Sequence, residues 1–371
     1  MKRDPSHRRP TTRLHPLALA IALAFCEAAL ALPQGEKTVA GQVSVMRPSA
    51  GNMLIQQGSA AGIVNWQSFS IDPGEAVRIQ QPTASSVLLN RVIGSDPSNI
   101  FGQLSANGKV FLLNPSGVLF GPGARVDVGS LVASTLSMRD EDFLAGRYSF
   151  TGNGGATVNE GSIKAAERGT VALLGGTVRN DGSIEARLGT VALAAGSRIT
   201  LDLAGDGLSR VAVTQAAIDA QVANGGAIVA DGGAVLLTAG ALDALVGGAV
   251  NHSGVVRARS LVERDGRIVL DSGDGGATLV SGTLDATGSA PGTRGGDIQV
   301  LGRQVSVTGS AQLDASGPAG GGAVRVGGDA QGKNQDVRNA ATTYIGSQAS
   351  LRADATERGD GGKVKIGRAH V

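Results

Sequence analysis

The sequence predicts an all-β chain wound as a parallel β-helix, a solenoid with an N-terminal cap, and three observations predict it. Glycine supplies 57 of 371 residues, about 15% and roughly twice ordinary usage, while Phe, Trp and Tyr together reach only 3%. Short motifs recur: Asn159-Glu160-Gly161-Ser162-Ile163 returns as Asn180-Asp181-Gly182-Ser183-Ile184, and Gly169-Thr170-Val171-Ala172-Leu173 returns as Gly189-Thr190-Val191-Ala192-Leu193. Each copy is a short apolar run closed by Gly, Asn or Asp, the pattern of a strand between tight turns.

Composition excludes the neighbouring classes. The glycines keep no every-third-residue period and prolines number only 12, which excludes collagen, and 42% hydrophobic residues are too many for a disordered chain. Looser copies of the second motif begin at Gly233, Gly266, Gly296, Gly322 and Gly362, in steps of 26 to 44 residues. Such self-similarity signals a solenoid. One coil cannot bury its inward face alone, but stacked coils pair each strand with the next and align Val, Ile and Leu in ladders. At about 25 residues per coil the chain makes about 13 coils and a rod of about 60 Å. Neither a leucine-rich-repeat signature nor tandem calcium-binding nonapeptides are present, and Asp271-Ser272-Gly273-Asp274-Gly275-Gly276 is a single turn. The Asp-Gly and Asn-Gly pairs read as corners that tolerate positive φ.

In chain order, residues 1–31 read as a secretory signal. Lys2, Arg3, Arg8, Arg9 and Arg13 make a basic start, Leu17 to Cys26 an apolar stretch, and Ala29-Leu30-Ala31 a small-x-small cleavage site. Phe25 before Cys26 departs from a lipoprotein site, so Cys26 is not expected to carry a lipid. Removing five basic and two acidic residues from 33 and 31 leaves 28 and 29, with no basic run interleaved with aromatics. That balance gives no footprint for nucleic acid or an anionic membrane. It also removes Cys26, the one cysteine, and a thiol-free chain can cross a periplasm without being locked by disulfides. No apolar run reaches the 18 or so residues of a spanning helix. Eight of the nine remaining aromatics lie between Trp66 and Phe150, the ninth being Tyr344. The chain thus divides into an irregular zone, 32–150, and a repeat zone, 151–365. An open solenoid end exposes unpaired backbone, so a cap is expected at about residues 35–75.

The densest stretch runs from Asn90 to Thr135. Within it Val110 to Leu113 and Val118 to Phe120 read as strands joined by a β-turn at Asn114-Pro115-Ser116-Gly117. This stretch resembles the haemagglutination-type, or two-partner secretion, domain of filamentous haemagglutinins and high-molecular-weight adhesins. Ile63-Val64-Asn65-Trp66-Gln67-Ser68-Phe69-Ser70-Ile71-Asp72 and Asn90-Arg91-Val92 are similar to the adhesin branch. The resemblance covers residues 38–150, with a weaker repeat-level likeness beyond. It implies a right-handed β-helix, threaded unfolded through an outer-membrane transporter whose periplasmic domains bind the N-terminal segment. It also implies that Asn114, Pro115, Ser116, Gly117 and Val118 match the family's Asn-Pro-Asn-Gly-Ile secretion motif, with Ser116 and Val118 as departures. The companion Asn-Pro-Asn-Leu motif has no copy here.

The resulting expectation is the N-terminal secretion domain, 32–150, and the start of the shaft, 151–365, of a secreted or cell-surface adhesin of Gram-negative type, exported via the periplasm. Its receptor, a host or bacterial cell-surface protein or glycan, is unspecified. Two alternatives are a carrier of a contact-dependent toxin and a β-helical carbohydrate-active enzyme. An enzyme needs clustered carboxylates with Arg or Lys on one face. The one acidic run, Asp140-Glu141-Asp142, reads as a solvated loop, and His7, His15, His252 and His370 are too scattered for a metal set or a nucleophile–base pair. No catalytic residue, metal or cofactor is expected. Arg358-Gly359-Asp360 spells an integrin-type adhesion tripeptide, and Asn251-His252-Ser253 is the one glycosylation acceptor, which at the Asn turn of a repeat reads first as structure. The last six residues, Ile366 to Val371, are also the translation of a sequencing-adapter string. Residues 366–371 are therefore expected to be an artefact, with the natural chain continuing past Lys365.

Overall fold

The structure, a computed structural model, describes residues 31–203, 209–241, 249–262, 264–334 and 336–367. The signal segment with Cys26, and the tail from residue 368, lie outside the described residues. Three long sheets, of twelve, nine and twelve strands, wall a solenoid. One coil runs through Lys109–Leu113 on the first wall, Val118–Phe120 on the second and Arg125–Val128 on the third, before Ser130–Ser134 returns to the first. Like stacks on like: Leu88, Val110, Leu131, Val171, Val191, Val235, Ile268, Ile298, Val324 and Val364 form one column of the first wall.

The seven motif copies from Gly169 to Gly362 open seven consecutive rungs of that wall. Their glycines are set by close approach. A Cβ on Gly189 would lie 1.9 Å from the Gly169 carbonyl oxygen, and one on Gly322 would lie 2.0 Å from that of Gly296. The same holds at an expected positive-φ corner: Gly182 has no positive φ, and its Cβ would lie 2.1 Å from the Gly161 oxygen.

Each twelve-stranded sheet carries one antiparallel strand at its N-terminal end, Lys37–Ala40 and Val43–Ser49, which leaves eleven parallel rungs rather than about 13. Those rungs span about 50 Å at 4.8 Å per step. The first-wall rungs begin at Ala61 and the eleventh at Lys363, 302 residues over ten steps, so a coil averages about 30 residues. The excess sits at corners, above all between the first and second walls, where residues 135–155 and, among the described residues, 196–203 and 209–220 lie outside the three walls. The cap is shorter than expected, because Asn52–Gln57 and Ala61–Trp66 already pair in parallel with Ala76–Gln80 and Val87–Val92. Trp66 and Phe69 fill the first coil edge to face, with ring centroids 5.5 Å apart.

The first wall is covered on its outer face too. Thr170–Gly175 and Thr190–Ala195 are buried at every position, as their unbroken apolar runs require. The cover is an antiparallel sheet of Tyr148–Thr151, Arg198–Asp202 and Arg210–Gln215, with the short helix Asp140–Leu144. Phe143, Phe150, Ile199 and Leu201 pack there against Phe111, Leu113, Val132, Ala172 and Ala192, forming a second core outside the solenoid. The outward column records where the cover ends. It reads Ile63, Leu89, Phe111, Val132, Ala172, Ala192, Leu236, Val269, then Gln299, Arg325 and Lys365. From Leu236 onward the outward positions are only part-buried, and from Gln299 they are polar, so the strands alternate.

The acidic run is not a loop. Asp140, Glu141 and Asp142 form the first turn of the helix, where carboxylates suit the positive end of the dipole. Asp140 pairs with Arg91 at 2.5 Å and Asp142 with Arg147 at 2.8 Å.

Between the third and first walls one corner repeats with a left-handed residue: Arg168 (φ 64), Leu188 (φ 55) and Gly232 (φ 68). A non-glycine residue there carries about 1 kcal/mol of strain. Arg168 is exposed and has no packing to lose. Arg168→Gly is therefore expected to raise stability by about 0.5–1 kcal/mol in urea unfolding, whereas buried Leu188→Gly is expected to lower it.

Candidate functional site

The Asn114 turn joins the first wall to the second. Gly117 N–H donates to the Asn114 carbonyl at 3.1 Å, closing a four-residue turn, and Asn114 N–H donates to Ser134 O of the next rung at 2.9 Å. The Asn114 side chain is fully buried and fully engaged. Its Nδ2 donates to Asp96 O (2.9 Å) and Ser98 Oγ (3.0 Å), and its Oδ1 accepts from Ser116 N–H (3.0 Å). A single amide thus ties the turn to the coil before it and shapes the turn itself. Pro115 and Ser116 stand exposed at the tip, while Gly117 and Val118 are buried. Gly117 has φ +137°, a conformation that glycine alone adopts at low cost.

The other motif residues support the same region. Trp66 Nε1 donates to Asn90 Oδ1 at 3.1 Å, and Asn90 Nδ2 to the Phe111 carbonyl at 3.3 Å, all in the sealed interior. Arg91 leaves the coil to donate to Met138 O at 2.9 Å and to pair with Asp140, holding down the outer cover. Asn90-Arg91-Val92 therefore links the interior to the layer outside it.

The remaining candidates lie apart from this turn. Arg358, Gly359 and Asp360 occupy an exposed corner between the third and first walls, pinned through the backbone by Arg358 N–H to Pro318 O (2.9 Å) and Gly321 N–H to Asp360 O (3.1 Å). Asn251 is not at the Asn position of a turn. It sits within the strand Val250–His252, and the next residue, His252, occupies the place of the stacked asparagines Asn159, Asn180 and Asn224. Sequence reasoning gave His252 no role. The signal was the alignment of Asn224-Gly225-Gly226 with His252-Ser253-Gly254, two copies of one corner.

Near the C-terminal end a cavity of about 780 Å³ is lined by Asp274, Arg303, Asp329, Arg338 and Asn339. It holds carboxylates beside arginines, yet they face each other. Asp329 pairs with Lys365 and, at 3.4 Å, with Arg325, while Arg338 pairs with Asp274 and, at 3.0 Å, with Asp271. Lys365, helped by the Ala330 N–H and Asn334, holds the Asp329 carboxyl far below the usual carboxylate range. Such a group is ionised at neutral pH and is no general acid. Among the described residues no group of three or more His, Cys, Asp or Glu could hold a metal ion.

Comparison with known proteins identifies the family. The model of the TPS secretion domain family matches residues 29–300. One heme/hemopexin-binding protein of Haemophilus influenzae is 36% identical over 214 residues, 53% of this chain and 22% of that protein. A second protein of that name from Haemophilus influenzae is 41% identical over 119 residues, 32% of this chain and 13% of the relative. The chain spans less than a quarter of the length of either. Among solved structures, the secretion domain of HMW1 from Haemophilus influenzae is similar with a TM-score of 0.80 at 27% identity, over 91% of this chain and 98% of that one. A β-helix with the Asn114 turn in its third coil, matched by the family model over most of its length, places this chain in the TPS secretion domain family.

Proposed function

We propose that this chain is the N-terminal secretion domain and first part of the shaft of a large secreted adhesin or haemagglutinin, and that Asn114, Pro115, Ser116, Gly117 and Val118 are the segment its outer-membrane transporter reads. The division follows the sequence: a signal at 1–31, the secretion domain at 32–150, and shaft repeats at 151–365, with 366–371 left aside. Passage is through the periplasm, where the transporter's periplasmic domains take the unfolded N-terminal segment, and the destination is the cell surface or medium. No catalytic role is assigned. One observation supports the choice of segment. The tip Pro115-Ser116 is exposed while Asn114 is sealed, so the motif's polar chemistry is available in full only before the third coil closes. Coil-by-coil folding then opposes backward movement without an energy source, since each rung needs only its neighbour.

Kinship with heme/hemopexin-binding proteins supports a second reading of the whole protein, in which the cargo beyond the shaft binds haem or hemopexin. His252, the one histidine among the described residues, is sealed in the wall, so a histidine ligand to haem would fall to sequence beyond them. Both readings share the export step. A tagged chain ending at Lys365, expressed with and without an adhesin-type partner transporter, is expected in the medium only when the transporter is present. Folded protein held in the periplasm beside a matched transporter would contradict the reading and favour an ordinary exported β-helix. Polysaccharide hydrolysis or elimination would then be the next assay.

A further inference from the structure

Inside the corner between the second and third walls runs a ladder of side-chain amides. Asn159 Nδ2 donates to Asn180 Oδ1 at 2.7 Å, and Asn180 Nδ2 to Asn224 Oδ1 at 2.7 Å. The fourth member is not an amide: Asn224 Nδ2 lies 3.1 Å from His252 Nδ1, and His252 Nε2 lies 3.1 Å from the carbonyl oxygen of Thr283. All four side chains are buried.

Groups with only one hydrogen-bonding role fix the direction of this ladder. The Gly161 N–H can only donate, and it meets Asn159 Oδ1 at 3.2 Å. The Gly226 carbonyl can only accept, and it meets Asn224 Nδ2 at 3.4 Å. Asn224 therefore presents N–H to the imidazole, so Nδ1 must accept, while the Thr283 carbonyl requires the proton on Nε2. The ring is neutral and a single tautomer. A proton on Nδ1 would set donor against donor in a sealed corner. Relief by rotating Asn224 would turn Asn180 and Asn159 in sequence and cost the Gly161 bond.

We propose that His252 makes this corner of the shaft a proton-operated joint: the neutral imidazole completes the amide ladder, and protonation breaks it and opens the coil between Gln221–Asn224 and Val250–His252. The ring meets Asn224 from the rung before and the Thr283 carbonyl from the rung after, and His252 stands in register with Val280 of the next strand. The charged groups of the adjoining strands and corners are matched among themselves: Arg257 with Asp231, Arg259 with Asp285, Arg179 with Asp181. Burial lowers the proton affinity of the ring and outweighs the backbone groups of Thr283 and Asn224, which raise it. The unfolded chain takes the proton first, near pH 6.5, so the stability carried by this site is complete above that pH and is lost as pH falls through it.

Two measurements on the full chain test this. Ring ¹⁵N shifts at pH 7 should show a bare Nδ1 and a protonated Nε2. Between pH 7.5 and 5, the urea unfolding constant of the wild type should rise by up to about 30-fold more than that of His252→Asn, whose amide continues the ladder. Hydrogen exchange at residues 224–226 and 252–254 should accelerate over the same range in the wild type alone. Equal pH dependence in the two proteins, or a proton on Nδ1 at pH 7, would overturn the proposal. Should His252→Asn fail to fold, His252→Val takes its place, since Val280 and Val307 fill the same column in later rungs; the ring-nitrogen titration needs no variant.

Discussion

Phe111→Ala is expected to lower stability by about 3–5 kcal/mol, the range for truncating a sealed aromatic that leaves a cavity. Phe111 is fully buried although it points out of the solenoid. Its ring meets Phe143 at 5.3 Å and Tyr148 at 4.9 Å between centroids, so one side chain joins the third coil to both the helix and the antiparallel cover. Its neighbours in the column, Leu89 and Val132, are held by their own rungs and cannot shift to fill the gap. A smaller truncation five rungs later in the same column, Val269→Ala, falls where the residue is half-buried and is expected to cost less than about 1 kcal/mol. Urea unfolding of the two variants, with Tyr148 fluorescence or near-UV dichroism to follow the cover, checks the contrast. Equal losses would mean that the outer layer adds nothing to the first wall.

Asn114→Ala is expected to cost about 2–4 kcal/mol and to stop export. The stability term follows from what the amide leaves behind: the Asp96 carbonyl and Ser98 hydroxyl lose a buried donor, and the Ser116 N–H loses its acceptor. Asn114→Asp separates these roles, since a carboxylate still accepts from Ser116 but cannot donate to Asp96. It would also bury a charge, so it is expected to be no better than alanine. The export term follows from the proposed reading of the segment, and release into the medium measures it separately.

Much of this architecture is visible in the sequence because a solenoid writes its contacts at short range. The copies opened by Gly169 and Gly189 are adjacent rungs, and their shared letters are the ladder. The unbroken apolar run Val171-Ala172-Leu173-Leu174 also held a clue to the outer layer, since a strand wet on one face alternates. The cover's own strands gave no such signal: Tyr148–Thr151 and Arg198–Asp202 lie far apart, pair antiparallel, and each resembles an ordinary rung. The coil length was underestimated because the clearest repeats, 20 and 21 residues apart, come from the tightest corners. At the candidate site, the turn at Asn114 was legible from Asn-Pro and Gly, but its depth was not. Burial there comes from Asp96 and Ser98, one coil earlier, and no local pattern reports it. His252 was missed for a related reason, as a histidine replaces an amide only where both ring nitrogens find partners in three dimensions.

On the proposed reading the Asn114 segment acts in export and not only in folding. The most direct test sets Asn114→Ala beside Asn180→Ala, which also removes a buried amide with bonds to two neighbours but lies outside the proposed secretion motif, in the proposed shaft. Both variants are expected to weaken the β-helix by similar amounts, since each leaves buried partners unpaired. With the partner transporter present, Asn180→Ala is expected to reach the medium and Asn114→Ala to stay in the periplasm; equal release, or equal retention, would contradict a role for the segment in export.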